Sequence, residues 1–188
     1  TRNMKTYVFN PSKKDDLKLV WDRNYQDIYS DPGDFQTKKN QFGRHTLQID
    51  NNKLFLIGEG HTKEGQFPFI DEFDLATLKT KRMYQSNYKD QIESISEIID
   101  IKKGEILVNI QSKNDYPNYY FRNIKNKKGL QQITHNKNPF ESIKNVSKEV
   151  VKYKRKDGVE LSGTLYLPAG FNKSNPKEKL PLLIWAYP

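Results

Sequence analysis

Between residues 103 and 135 the chain reads KGEILVNIQSKNDYPNYYFRNIKNKKGLQQITH. Three short runs rich in β-branched and aromatic residues, EILVNI, YYFRNI and LQQIT, are parted by stretches that supply Asn, Asp, Pro or Gly where a hairpin must reverse. The same order of turn, strand, polar loop, strand, turn and strand occurs about 50 residues earlier, in NNKLFLIGEGHTKEGQFPFIDEFDLATLKTKRMYQS, residues 51–86. The closing hairpin of that unit, two strands joined by a charged turn, occurs a third time in YVFNPSKKDDLKLVWD, residues 7–22. A period of roughly 40 to 50 residues with about four strands per unit marks a β-propeller blade. Because a blade is a small sheet covered only by its neighbours, about two to three of them make part of a ring.

Working outward, KTYVF, LKLVW, HTLQID, KLFLIG, PFIDEFDL, KRMYQS and SEIIDI read as further short strands. No long stretch with helical periodicity occurs in the first 140 residues. After Phe140 the character changes. In VVKYKRKDGVELSGTLYLP, residues 150–168, Val150, Val151 and Tyr153 run into the turn KDG, and Val159, Leu161, Leu165 and Leu167 alternate on the way out. A polar connector follows, and then LPLLIWAY, residues 180–187, has the unbroken apolar run of a strand buried on both faces in a parallel sheet. Such a strand needs covering helices, so the chain is expected to stop shortly after entering a second domain. The expected fold is mainly β: the C-terminal part of a propeller over residues 1–143, then the first strands of an α/β domain over residues 144–188.

The 188 residues, 35% of them hydrophobic, 12% aromatic and 29% charged, are enough for one ordinary domain or parts of two. No run approaches the ~18 to 20 apolar residues of a membrane-spanning helix. The absence of cysteine excludes disulfides and thiolate metal sites, and fits a reducing or an exported setting equally. Met4 lies behind three other residues, so a targeting segment is expected upstream and the compartment is not legible. A net charge of +9 raises nucleic acid as a partner, but the basic pairs Lys13 and Lys14, Lys38 and Lys39, Lys102 and Lys103, and Lys127 and Lys128 are spread through turns. That spacing describes a solvated surface, and neither nucleic acid nor membrane is expected as the partner.

YKRKDGVELSGTLYLPAGF followed by KLPLLIWAYP resembles the beginning of the hydrolase domain in serine peptidases of the prolyl oligopeptidase family. The segments YSDPG, GEGHTKEGQFPFIDEFDL, LQQITH and KLPLLIWAYP together most resemble its glutamyl endopeptidase branch. The resemblance implies a β-propeller that gates access to an α/β-hydrolase domain, with peptides as substrates and no cofactor. An α/β-hydrolase carries its nucleophile in a G-x-S-x-G elbow, followed by Asp and His. No such elbow occurs here. Ser162, in a predicted hairpin strand, has no helix N-terminus or base to serve it, and His45, His61 and His135 all precede the hydrolase-like part. The triad is therefore expected beyond Pro188 and the chain itself is expected to be inactive. Tyr187, at the end of PLLIWAY, matches the family's tyrosine whose hydroxyl donates to the oxyanion, and Pro188 departs from the Gly or Ala of other branches.

Other constellations carry less. Glu59, His61 and Glu64 in GEGHTKEG read as a polar loop rather than a metal site, and Asp71, Glu72 and Asp74 as a solvated strand face. Glutamyl selectivity needs a cation near the bound carboxylate, which Arg44 or Arg122 would supply. The alternative to a peptidase fragment is a non-catalytic propeller-type module whose basic loops hold acidic peptides or nucleic acid. For the peptidase fragment, the expected partners besides a peptide substrate are the remainder of its own hydrolase domain, or a second copy paired through exposed strand edges such as Leu180 to Tyr187.

Overall fold

The computed structural model describes residues 2–126, 129–175 and 179–186, with Lys14 described in its main chain. Fourteen strands are present and no α-helix occurs among the described residues. Strands β1 (Asn3–Asn10) and β2 (Lys13–Asn24) form a hairpin. After a single 3-10 turn at Ile28–Ser30, strand β3 (Asp34–Phe35) opens a four-stranded antiparallel sheet. A separate hairpin, β4 (Thr37–Lys39) and β5 (His45–Leu47), interrupts it before β6 (Lys53–Gly58), β7 (Phe69–Asp74) and β8 (Lys79–Gln85) complete it in the order β3-β6-β7-β8. A second four-stranded sheet follows from β9 (Gln91–Asp100), β10 (Glu105–Ser112), β11 (Asn118–Asn123) and β12 (Leu130–Gln132), again in chain order. The two repeated stretches are thus the last three strands of these two sheets.

Alternation along the strands decides which face each side chain takes. In β10, Ile106, Val108 and Ile110 are buried and pack with Ile70 of β7, so the second sheet covers one face of the first. Leu54 and Leu56 of β6 and Phe73 of β7 point the other way, onto Val20 and Trp21 of β2 and Phe35 of β3. The first four-stranded sheet is therefore covered on both faces, by the hairpin on one side and by its successor on the other. Each buried Leu, Ile or Phe contributes about 1.5–3 kcal/mol. The sheets remain open at their edges, giving a mainly β, propeller-like arrangement, as expected from the repeat.

Turn chemistry fixes the register. At the β7–β8 turn, Asp74 accepts from the main-chain N–H groups of Ala76 and Thr77, at 2.8 and 3.0 Å, and is paired with Lys53 across the sheet. The Lys53 ammonium, followed by the Thr77 amide, lowers the Asp74 pKa to about 2. A depressed carboxyl pKa stabilises the fold above the unfolded value near 3.8, and this contribution is lost as pH falls toward 2. Lys53→Met is expected to return the Asp74 titration toward the ordinary carboxylate range and to move acid unfolding to higher pH. A carboxyl-carbon NMR titration checks it, and an unmoved Asp74 midpoint refutes it.

The chain divides into two compact units, Thr1–Lys137 and Asn138–Pro188. In the second, β13 (Ser147–Lys154) pairs with β14 (Glu160–Leu167) in an antiparallel hairpin. Its turn is held by Arg155, which donates to Asp157 Oδ1 at 2.9 Å. The expected strand over LPLLIWAY is not found: residues 179–186 form no strand, and Leu182, Leu183, Ile184 and Trp185 are each at least three-quarters exposed. Apolar composition alone does not make a strand, because a parallel ladder requires a partner strand that no local sequence supplies.

Candidate functional site

Two of the segments singled out in the sequence come together beside the first four-stranded sheet. YSDPG begins in the 3-10 turn, where Asp27 accepts from Tyr29 N at 3.1 Å, and continues to Asp31, which accepts from Gly33 N at 2.8 Å and pairs with Arg23 at 2.5 Å. GEGHT passes close to Phe67: Gly60 has φ +64°, and a Cβ there would lie 1.9 Å from the Phe67 carbonyl oxygen. Only glycine combines that conformation with that approach. Tyr29 and Asp31 from the first segment and His61 and Thr62 from the second line one cleft of about 300 Å³ with Phe69 and Arg82.

The charges of this cleft are already matched. Asp71 is 7% exposed and is paired with Arg82, whose guanidinium lies 3.8 Å from the Phe69 ring centroid. With Arg23 on Asp31 as well, the cleft offers ring faces and neutral hydrogen-bonding groups rather than an open charge. Reading Asp71 as part of a solvated strand face is therefore corrected: the β7–β8 register sets Asp71 opposite Arg82. A local pattern does not reveal that cross-strand partner.

Between the two four-stranded sheets lies a second polar cluster. Glu93 of β9, 1% exposed, accepts from Arg122 Nε of β11 at 2.7 Å and from the Tyr84 hydroxyl of β8 at 2.6 Å. Arg122 also donates to the Tyr88 hydroxyl at 2.8 Å, and its guanidinium lies 5.5 and 5.8 Å from the Tyr88 and Tyr84 ring centroids. Burial, then the Glu93 carboxylate, pushes the Tyr84 hydroxyl far above its ordinary pKa. Burial opposes the Arg122 charge, but Glu93, Tyr84 and Tyr88 together outweigh it and raise the pKa. This cluster joins sheets. Arg122 is consequently not an open cation for a substrate carboxylate, which corrects one of the two assignments from the sequence, whereas Arg44 on β5's hairpin is exposed.

The remaining candidates are dispersed. Ser162 is exposed on β14, opposite Lys152. His45 Nδ1 lies 3.2 Å from Thr37 Oγ1 across the β4–β5 hairpin, His61 bridges to Gln66, and His135 is exposed. Glu59 accepts from the Gln66 amide, while Thr62 caps the turn that carries Glu64. Tyr187 lies outside the described residues.

Successive four-stranded meanders packed face to face define a mainly β, propeller-like protein. Over its whole length the chain is 35% identical to a probable chloroplastic glutamyl endopeptidase of Oryza sativa subsp. japonica and 32% identical to its namesake in Arabidopsis thaliana. It spans 21% of the length of each. The resemblance to glutamyl endopeptidases read from the sequence is thus borne out along the chain. No protein-family model matches. A solved variant of the AtxE2 isopeptidase with Astexin3-dC4 bound aligns over 93% of this chain and 25% of its own, at 10% identity and a TM-score of 0.37, too low to bear on the fold.

Proposed function

We propose that this chain is part of a serine peptidase of the prolyl oligopeptidase family that cleaves oligopeptides. In this reading Thr1–Lys137 supplies about two to three blades of a propeller that gates substrate access. The second unit begins the α/β-hydrolase domain. The observation that carries the proposal is the whole-chain similarity to glutamyl endopeptidases many times longer than this chain. The missing G-x-S-x-G elbow supports placing nucleophile, acid and base in the part of those relatives that this chain does not match.

Tyr187 then donates its phenolic hydrogen to the oxyanion of the tetrahedral intermediate. A preorganised donor is effective there because it is aimed at charge that develops only in the transition state. One experiment tests both parts. The 188-residue chain is expected to leave glutamyl reporter peptides uncleaved, while a longer protein containing it cleaves them and loses about 10²-fold in kcat on Tyr187→Phe with KM little changed. Turnover by the 188-residue chain that disappears on Ser162→Ala would overturn the assignment.

A further inference from the structure

The β4–β5 hairpin stands apart from both four-stranded sheets as a two-stranded sheet of its own. Residues 37–47, TKKNQFGRHTL, contain Lys38, Lys39 and Arg44 and no acidic residue. All three are exposed, and no described carboxylate is paired with them. Arg23, Lys53, Arg82, Lys102 and Arg122 each hold an Asp or Glu, whereas these three, like Lys79, Lys81 and Lys113, are paired with no described carboxylate.

The tip is also built. Asn40 Oδ1 accepts from Phe42 N at 2.9 Å and from Arg44 N at 3.0 Å, while Asn40 O accepts from Gly43 N at 2.9 Å. Gly43 takes φ +72°, which the turn requires and a side chain would resist. The result is an aromatic ring, Phe42, 76% exposed on a turn whose main chain is already ordered. Leu47 and Ile49 at the base are likewise exposed, 48% and 57%. Cations, a preordered aromatic and apolar neighbours within one short hairpin fit a ligand that carries carboxylates and apolar side chains together.

We propose that the β4–β5 hairpin is a docking element for acidic peptide segments, with Lys38, Lys39 and Arg44 receiving carboxylates and Phe42 packing on an apolar side chain. This rests on the peptidase reading for its biological sense, and it assigns the recognition of acidic peptides to Arg44 and its neighbours once Arg122 is engaged by Glu93. A peptide fits better than nucleic acid. Three cations around one aromatic tip neutralise few phosphates, whereas binding to nucleic acid draws on a longer basic track and several stacking rings.

Fluorescence anisotropy of the full 188-residue chain with a labelled peptide of alternating Glu and Leu tests the proposal without using turnover. Saturable binding that weakens with salt is expected, falling about tenfold in Lys38→Ala/Lys39→Ala/Arg44→Ala and about threefold or more in Phe42→Ala. Lys113→Ala/Lys152→Ala/Lys156→Ala, an equal loss of exposed charge elsewhere, is expected to bind as the parent does. Should the hairpin triple variant lose its β-sheet circular dichroism, Arg44→Glu alone, a surface change, carries the same test. Absent binding, equal weakening in the two triple variants, or tighter binding of oligothymidylate than of the peptide overturns the docking role. None of these outcomes touches the peptidase reading, which stands or falls on turnover by the longer protein.

Discussion

Arg122→Met is expected to destabilise the first unit by about 3–5 kcal/mol, the cost of breaking a buried ion pair from one side. The substitution keeps most of the side-chain volume but strips Glu93, whose side chain is 0% exposed, of its cation, and leaves the Tyr88 hydroxyl without its donor. A carboxylate enclosed between sheets cannot recruit water to replace the guanidinium. The double variant Arg122→Met/Glu93→Gln recovers much of the loss, because a buried pair contributes little net stability once both charges are removed. Urea unfolding followed by circular dichroism measures both. A loss below about 1 kcal/mol for the single variant is the size expected of a solvent-exposed pair and refutes the description of the cluster as a buried link.

Phe73→Ala is expected to cost about 3–5 kcal/mol as well, by a different route. Phe73 is 1% exposed and meets Phe35 edge to face at 5.5 Å and Trp21 at 5.7 Å, so truncation opens a cavity walled by two other rings. The rings belong to β7, β3 and β2, and their side chains cannot close the gap without moving one sheet against the hairpin. Trp21 reports the event through its emission, which is expected to shift to the red as water gains access. Phe9→Ala, at a side chain 62% exposed, is the matched comparison and is expected to stay within about 0.5 kcal/mol of the parent. Equal losses at the two positions would mean that the three-ring cluster is not the core of this face.

Strand positions were legible wherever alternation and turn residues coincided. EILVNI became β10 with its even-numbered residues buried, and KDG became the β13–β14 turn. The first strand of the first sheet escaped notice because Asp34 and Phe35 are too few to show a period, and β4 escaped because Thr37, Lys38 and Lys39 carry no apolar pattern. Their pairing comes from partners outside these short runs, β6 for β3 and the other arm of the hairpin, β5, for β4. The same limit governs the site. Arg122 reads as an available cation until the β10–β11 register sets it opposite Ile106, on the face that meets Tyr84 and Glu93. Asp71 reads as solvated until Arg82 is seen opposite it. Residue type was readable in these cases, but the cross-strand neighbour that decides the chemistry was not.

Sheet order follows chain order in both meanders, residues 34–85 and residues 91–132, with only the β4–β5 hairpin as an excursion. Nearly every ladder therefore closes a loop between sequence neighbours, and little chain entropy is spent before pairing is rewarded. Folding can proceed as a series of local zippering events, each sheet maturing from its own contiguous stretch as synthesis delivers it. What remains for a later, slower step is the docking of one finished sheet on the next, when Ile70 meets Ile106 and the Glu93 carboxylate, set beside Arg122 within its own sheet, receives the Tyr84 phenol of β8. Until that docking, Glu93 stays hydrated and the apolar rows of β7 and β10 stand open, so the interval between zippering and docking is when the nascent chain is most exposed to aggregation.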